Sequence, residues 1–268
     1  MFESCENKIV EPGASTPAQR HLRDTREDAE LLSGKKCEVF HSVVAKLLYI
    51  TKRARPDLET TIAYFCTRFT KSDTDDWEKL QRLISFIKGT INDTRITGAK
   101  NLHEIFTWID AAYAVNPDMK SQTGGTMSMG LGILHGKSSK QKLNVKSSTE
   151  AELVGVSDYL PYNIWLLMFL REQGYIITDN TIYQDNQSTI RMLKNGRNSC
   201  TGNLRHINIR YFFVKDRVDK GEVRVEYCPT LQMLGDFFTK PLQGALYIKF
   251  RDVIMGYEPI TSLNLKID

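Results

Sequence analysis

Asp110 closes the alternating run Ile105-Phe106-Thr107-Trp108-Ile109-Asp110, and Asp185 closes a second short apolar run, Thr181-Ile182-Tyr183-Gln184-Asp185. Each acid stands at a predicted strand end. Two further acids stand at helix starts: Glu152, with its neighbour Glu150, in Ser147-Ser148-Thr149-Glu150-Ala151-Glu152, and Asp236 in Gly235-Asp236-Phe237-Phe238-Thr239-Lys240. In a sheet flanked by helices, strand ends and helix starts share one edge, where open α/β sheets hold their ligands. Carboxylates gathered there repel one another and take up protons unless hard divalent cations neutralise them, which suits Mg²⁺ or Mn²⁺. Two such ions ~4 Å apart activate a water and stabilise the leaving oxygen of a phosphodiester. Metal-dependent phosphodiester hydrolysis is the chemistry this spacing suggests.

The elements that must position these acids begin with the stretch from Ser147. Ser147…Glu150 and Thr149…Glu152 both have capping-box spacing, so one acid ties back to the cap and the other is free. Two residues along a helix turn the side chain by ~200°, so Glu150 and Glu152 cannot face the same site. On the side of Gly155, Val156 and Tyr159, Glu152 lies on the buried face, where an unpaired carboxylate is costly and calls for a cation.

Composition bounds the rest. The chain of 268 residues is 41% hydrophobic and 25% charged, an ordinary globular balance that excludes disorder throughout. Its 36 basic and 32 acidic side chains leave a net +4, which allows a polyanionic partner without demanding one. Cys5, Cys37, Cys66, Cys200 and Cys228 are scattered and form no CxxC pair, so neither a disulfide framework nor a zinc site is expected and a reducing compartment fits. No signal peptide opens the chain, and the most apolar run, Ile164 to Leu170, is too short to span a bilayer, so a soluble protein is expected.

Residues 1–36 are polar, with Pro12, Gly13, Pro17 and a charged run from Arg20 to Glu30, and predict a poorly ordered lead-in. Phe40 to Thr70 predicts two helices broken at Arg55-Pro56, and Thr74 to Thr90 a third, capped within Ser72 to Asp76 and ended by Gly89. The basic cluster Lys46, Lys52, Arg53 and Arg55 reads as a solvated helix face in preference to a phosphate site. A boundary near residues 91–101 separates this helical part from a strand-rich one. There Ile105 to Asp110, Gly125 to Leu134 and Lys140 to Lys146 predict a three-strand antiparallel meander, with His135-Gly136 as the second turn. A helix from Ser148 towards Gln173 follows, kinked or split at Pro161. Then come the strand ending at Asp185, a helix over Asn186 to Lys194, a helix over His206 to Lys220, a strand over Glu222 to Tyr227, and a closing helix or pair of helices from Leu234 to Met255, interrupted at Pro241. Three meander strands followed by strand-helix crossovers make a mixed sheet with helices on its faces.

The order of Trp108-Ile109-Asp110-Ala111, Ser148-Thr149-Glu150-Ala151-Glu152-Leu153, Tyr183-Gln184-Asp185-Asn186-Gln187-Ser188 and Gly235-Asp236-Phe237-Phe238-Thr239-Lys240-Pro241-Leu242 closely resembles the ribonuclease H domain of copia-type retrotransposon polyproteins. Lys120-Ser121 before Gly124, and Arg205-His206-Ile207 leading into Ile209-Arg210-Tyr211-Phe212, look like further blocks of that family. Upstream, Phe40 to Tyr49 with Arg53-Ala54-Arg55-Pro56-Asp57, and Trp77 to Thr90, resemble the end of the reverse transcriptase, its thumb and connection. The match covers roughly residues 15 to 256. It implies an α/β fold, a ribonuclease H-like mixed five-stranded sheet flanked by helices, over residues 101–256. A small helical thumb/connection segment would precede it over 37–100, with a tail at 257–268.

The same resemblance puts the metal-binding, catalytic carboxylates at Asp110, Glu152, Asp185 and Asp236, with Glu152 preferred to Glu150 because Glu152-Leu153-Val154-Gly155 is similar to the Glu-Leu-x-Ala helix start of ribonucleases H. It implies two Mg²⁺ ions, or Mn²⁺, and hydrolysis of the RNA strand of an RNA–DNA hybrid. Asp110 and Asp185 would hold both ions, Glu152 the one on the leaving side and Asp236 the one that activates water. Lys120, Ser121, Lys146, Ser148, Asn186, Gln187, Arg205 and His206 are the candidate nucleic-acid contacts. Basic side chains at Lys137, Lys140, Lys142, Arg191, Lys194 and Arg197 are available along phosphates, each individually read as a solvated charge. The implied partner is the rest of the reverse transcriptase, fingers and palm, since no Tyr-x-Asp-Asp polymerase motif occurs. A virus-like particle in the cytoplasm, or the nucleus, is the implied location, with no membrane and no secretion. Departures from the family pattern fall at Ala112, Asn208 and Phe213, and Pro229-Thr230-Leu231-Gln232 lacks the mobile His of cellular ribonucleases H. A proofreading-type exonuclease is disfavoured by Asp110-Ala111-Ala112, where such enzymes carry Asp-x-Glu. The remaining alternative is a nuclease-inactive retroelement remnant that only binds nucleic acid or serves as a polyprotein segment.

Overall fold

The computed structural model describes residues 11–195 and 205–264. Its centre is a five-stranded sheet built from β2 (Glu104–Ala112), β3 (Gln122–Ser128), β5 (His135–Lys140), β6 (Asp179–Gln184) and β7 (Arg224–Tyr227), in the order β5-β3-β2-β6-β7. β3 pairs antiparallel with β2 and β5, while β6 runs parallel to β2 and β7 parallel to β6. This is the mixed five-stranded sheet, flanked by helices, that the order of elements predicts. A two-stranded ribbon, β1 (Gly98–Ala99) on β4 (Gly130–Leu131), stands beside it. No hydrophobic alternation announced that ribbon, because each arm is only two residues long.

Alternation along β2 divides the core in two. Phe106 and Trp108 point to one face, where Trp108 stacks on Tyr183 with ring centroids 5.3 Å apart. That face is covered by α1 (Gly34–Arg53), α2 (Glu59–Thr67), α3 (Thr74–Gly89), α7 (Asp236–Thr239) and α8 (Gly244–Met255), whose apolar side chains form one continuous cluster with it. Ile105 and Ile109 point to the other face, against α4 (Ser148–Glu172), α5 (Gln187–Asn195) and α6 (Arg205–Asp219). The helices before residue 91 are stitched to the sheet by polar bonds as well. Glu59 Oε1 accepts from the Ser138 amide at 3.2 Å, and Thr60 Oγ1 donates to the Phe237 carbonyl at 2.6 Å.

Several expectations are corrected. The break at Arg55-Pro56 is a short 3₁₀ turn, Pro56–Leu58, and Arg55 is buried against Asp57 and Thr90, so it is part of neither a phosphate site nor a solvated face. The part of the lead-in that is described is packed: Thr16, Ala18, Leu22 and Arg23 are buried, and Leu22 joins the core. Residues 257–264 of the expected tail likewise bury Ile260 and Leu263. Helix α4 continues through Pro161 without a split. It is long and apolar enough to cross a membrane by length and composition, but 61% of its apolar stretch is buried inside the protein, as in a core helix.

The third meander strand is the largest shift. It runs over His135–Lys140, whereas Lys140 to Lys146 was expected, so His135-Gly136 opens the strand and does not turn it. The turn falls earlier, where Gly130 and Gly132 take positive φ of 129° and 61°. His135 is drawn into the sheet by Tyr159, whose hydroxyl donates to the His135 carbonyl at 3.1 Å and lies 2.9 Å from Nδ1. Burial, with Lys52, Lys137 and Arg95 nearby, pushes the imidazole down to about 4. Its folded value lies below the unfolded one near 6.5, so the neutral ring's contribution is present above pH 6.5 and is lost as pH falls towards 4. In urea titrations at stepped pH, wild type is expected to lose up to about 3 kcal/mol relative to His135→Phe across that window, at ~1.36 kcal/mol per unit.

Candidate active site

Because β2 and β6 are parallel neighbours, with Trp108 opposite Tyr183, their C-terminal ends deliver Asp110 and Asp185 to the same edge. Helix α4 starts at that edge, and its cap decides which glutamate enters. Ser147 Oγ accepts from the Glu150 amide at 3.2 Å, and Glu150 Oε2 accepts from the Lys146 amide at 2.8 Å. Glu150 is thereby committed to the cap, half-buried. Glu152 is turned inward and is 5% exposed. Ligand oxygens of Asp110, Glu152 and Asp185 lie within 4.8 Å of one another.

Asp236 reaches the site from the opposite face of the sheet, on the single turn of α7. That turn sits close because Gly235 has no side chain: a Cβ there would come within 2.9 Å of the Asp110 amide nitrogen. Thr239, at the end of the same turn, donates its hydroxyl to Asp110 Oδ2. Lys240 follows, with Nζ 2.8 Å from Asp236 Oδ1 and 3.9 Å from Asp110 Oδ2.

The electrostatics are those of carboxylates buried close together. Burial, then the charges of Asp110 and Asp185, raise Glu152 well above the usual carboxylate range, against a hydrogen bond from Gln184. Asp185 is raised by burial and by Asp110, partly offset by Lys240. Asp236 is pushed up to about 7, again by burial first and Asp110 next. Burial lowers the Lys240 ammonium, but Asp110, Asp236 and Asp185 outweigh it and the group is raised. Three carboxylate oxygens within 4.8 Å of one another are the hard donor set a divalent cation requires. The buried trio of Asp110, Glu152 and Asp185 can bind a metal ion.

The residues proposed for nucleic acid divide. Lys146 and Ser148 are exposed beside the start of α4, and Gln187 is exposed at the start of α5. Asn186 is half-buried, and its Oδ1 caps α5 by accepting from the Thr189 amide at 3.0 Å. Lys120 is half-buried. Ser121 is fully buried and accepts from the Ala114 amide at 3.1 Å, so it is spent on the β2–β3 hairpin and is not available to a ligand. Arg205 and His206 open α6, their side chains outside the described residues, as is Arg197.

Three residues that shape the site were not singled out from the sequence. Gln184 is completely buried: its Nε2 donates to Glu152 Oε2 at 3.1 Å and to the Ile109 carbonyl at 3.3 Å, and its Oε1 accepts from the amides of Asp185 and Asn186 at 2.8 and 3.0 Å. It locks Glu152 and Asp185 into one geometry. Lys240 had a signal, since i,i+4 spacing from Asp236 places opposite charges together on a helical turn. Arg23 had none. From the packed lead-in it donates to Asn116 Oδ1 (3.3 Å), Gln122 Oε1 (3.2 Å) and the Thr239 carbonyl (3.0 Å), tying the hairpin after Asp110 to the turn that carries Asp236. Arg23→Gln strands these acceptors, and is expected to cost about 1–3 kcal/mol in urea unfolding and to weaken Mn²⁺ binding at the trio, measured by calorimetry.

No protein-family model matches the chain. The chain is 26% identical over 245 residues to a retrovirus-related Pol polyprotein from transposon TNT 1-94 of Nicotiana tabacum, a match covering 90% of the chain and 18% of that protein. It is 27% identical over 213 residues to the Pol polyprotein from transposon RE2 of Arabidopsis thaliana, covering 79% of the chain and 14% of that protein. Among solved structures it is similar to an RNase H1 isolated from compost, at 12% identity and a TM-score of 0.35, over 48% of this chain and 86% of that one. The chain spans less than a fifth of the length of the curated relatives it matches. Its sequence relatives are thus Pol polyproteins of copia-type transposons, matched over most of the chain, and the resemblance read from the motifs stands.

Proposed function

We propose that this chain hydrolyses the RNA strand of RNA–DNA hybrids endonucleolytically, in a divalent-metal-dependent reaction, as the ribonuclease H segment of a retrotransposon Pol polyprotein. The observation that carries the reading is the meeting of Asp110, Glu152 and Asp185 at one sheet edge, with Asp236 facing them across Asp110. Asp110, Glu152 and Asp185 would hold the metal, Mg²⁺ or Mn²⁺, and Asp236 a second ion. When bound, such ions activate a water and stabilise the leaving 3′-oxygen of the phosphodiester.

The chain's own residues do the rest. Gln184 fixes Glu152 and the Asp185 backbone, Thr239 fixes Asp110, and the cap at Ser147 keeps Glu150 out of the site. Lys146, Ser148 and Gln187 flank the acids and suit the phosphates and 2′-hydroxyls of a hybrid, with little base reading. In this reading residues 37–100 are the end of the reverse transcriptase, residues 101–256 the nuclease, and the fingers and palm the absent partner. Action in a cytoplasmic virus-like particle or the nucleus follows from it.

The test is incubation of the purified chain with an end-labelled hybrid, single-stranded RNA and duplex DNA, with Mg²⁺ or with EDTA. Cleavage confined to the RNA of the hybrid, and abolished by EDTA, is expected. Salt-sensitive hybrid binding without cleavage under any divalent ion would replace this reading by that of a nuclease-inactive remnant.

A further inference from the structure

The four carboxylates do not form one symmetric group. Asp110, Glu152 and Asp185 lie within 4.8 Å of one another, whereas Asp236 meets the cluster through Asp110 and shares its space with an ammonium. Lys240 is the residue after α7, and its backbone is already extended, with ψ of 136°. The chain therefore leaves the helical turn at this point, while the side chain folds back over Asp236, four residues earlier. Its Nζ stands between Asp236 Oδ1 at 2.8 Å and Asp110 Oδ2 at 3.9 Å. A cation that belongs to the protein thus already occupies the space beside Asp236 and Asp110.

We propose that Lys240 is a built-in counter-ion that competes with a divalent cation for the Asp110–Asp236 side of the site, so that the Asp110–Glu152–Asp185 side fills first and the other fills only as Lys240 swings out. The inference rests on the metal-dependent reading above. Mobility and charge both support the exchange. The Lys240 side chain is 42% exposed, against 3% for Asp236 and 4% for Asp110, so it can withdraw on its flexible stem while the two acids stay in place. Asp110 does not depend on Lys240 for its orientation, because the Thr239 hydroxyl holds Oδ2 independently. A divalent ion brings twice the charge of the ammonium and prevails when concentrated. At low concentration the resident ammonium, already beside two carboxylates and tethered, has the advantage of a high effective concentration. The two cation positions are then unequal by construction, and the inequality is set by one residue outside the four acids.

Mn²⁺ binding to the nucleic-acid-free full chain, followed by calorimetry and by electron paramagnetic resonance, tests this without reference to cleavage. Wild type is expected to bind one ion tightly and a second at least tenfold more weakly. Lys240→Met keeps the stem and removes the charge, and is expected to tighten the second ion about tenfold and leave the first nearly unchanged. Lys240→Arg keeps the competition and is expected to resemble wild type. In EDTA at pH 8, Lys240→Met is expected to melt at lower temperature than wild type, with Mn²⁺ restoring it. Lys240→Gln serves as a second uncharged variant should the Met variant fold poorly. A second ion no tighter in Lys240→Met and Lys240→Gln than in wild type, with the first ion still abolished by Asp185→Asn, overturns this inference and leaves the proposed function standing. No Asp185-dependent Mn²⁺ binding in wild type overturns both.

Discussion

Asp185→Asn is expected to reduce hybrid cleavage on the order of 10³-fold or more, as the loss of about 4 kcal/mol of metal-supplied transition-state stabilisation would do. The substitution keeps the side chain's size, and the fold has no reason to suffer: Gln184 holds the residue by its backbone amide, which the exchange leaves in place. Hybrid binding is expected to persist with its steep salt dependence, because affinity comes from basic side chains neutralising phosphates. Stability is expected to move the other way. Asp185 and Glu152 have folded pKa values raised above their unfolded ones, so their penalty grows as pH rises through the folded values. In EDTA at pH 8 Asp185→Asn is therefore expected to melt at higher temperature than wild type, and the gap to close as pH falls below the ordinary carboxylate range, where the acids are protonated in both states. Paired measurements of cleavage, binding and melting decide the matter: undiminished cleavage removes Asp185 from the active site, and a melting temperature below wild type at pH 8 removes the mutual repulsion inferred for the cluster.

Gly125→Ala is expected to be strongly damaging for a substitution that adds one methyl group. Gly125 sits mid-strand in β3, opposite Ile109 and Lys137, one residue from the pair that sets Asp110 beside Gly124. A Cβ there would enter the ring of Tyr159, coming within 2.6 Å of its Cε2 atom. Tyr159 cannot step aside, since it is fully buried in α4 and its hydroxyl is bonded to His135. Overpacking of this kind costs about 3 kcal/mol or more, and its relief by shifting α4 would carry Glu152 out of register with Asp110. Gly13→Ala, with nothing within 4 Å of the new Cβ, is expected to change neither stability nor metal binding. Urea unfolding of Gly125→Ala, Tyr159→Leu and the double variant forms a cycle in which the Leu background should absorb most of the cost. Additive losses would show that the ring contact is not what makes the glycine necessary.

The local pattern of the chain was enough for most of the architecture. The 3.6 periodicity of Trp77, Leu80, Leu83, Ile84 and Ile87 marked α3, and its cap is the expected one, with Asp73 accepting from the Asp76 amide at 2.8 Å. Alternation into Asp110 and a short apolar run into Asp185 marked two strands whose ends meet, because periodicity reports which face of an element is buried and a terminal acid reports where burial stops. The sequence offered two capping boxes at Ser147, and the buried face and the resemblance favoured Glu152 for the site; in the packed helix Glu150 is spent on the Lys146 amide and Glu152 faces Gln184. Register was beyond local reading too. His135 has turn-like neighbours, but Tyr159 of α4, 24 residues away, makes it the first residue of β5. Arg23 is the extreme case. A polar stretch with no period offers no reason to expect order, yet its guanidinium joins oxygens 93, 99 and 216 residues distant, and such bonds exist only once the sheet has brought them together. What the sequence determined by itself was therefore most of the elements and the acids at their ends, since these depend on neighbours within a turn or a strand. The partners of Glu152 and Asp110, Gln184 and Thr239, and the Arg23 guanidinium that ties the hairpin to α7, were decided by tertiary structure, because these hydrogen bonds depend on distances that chain closure alone creates.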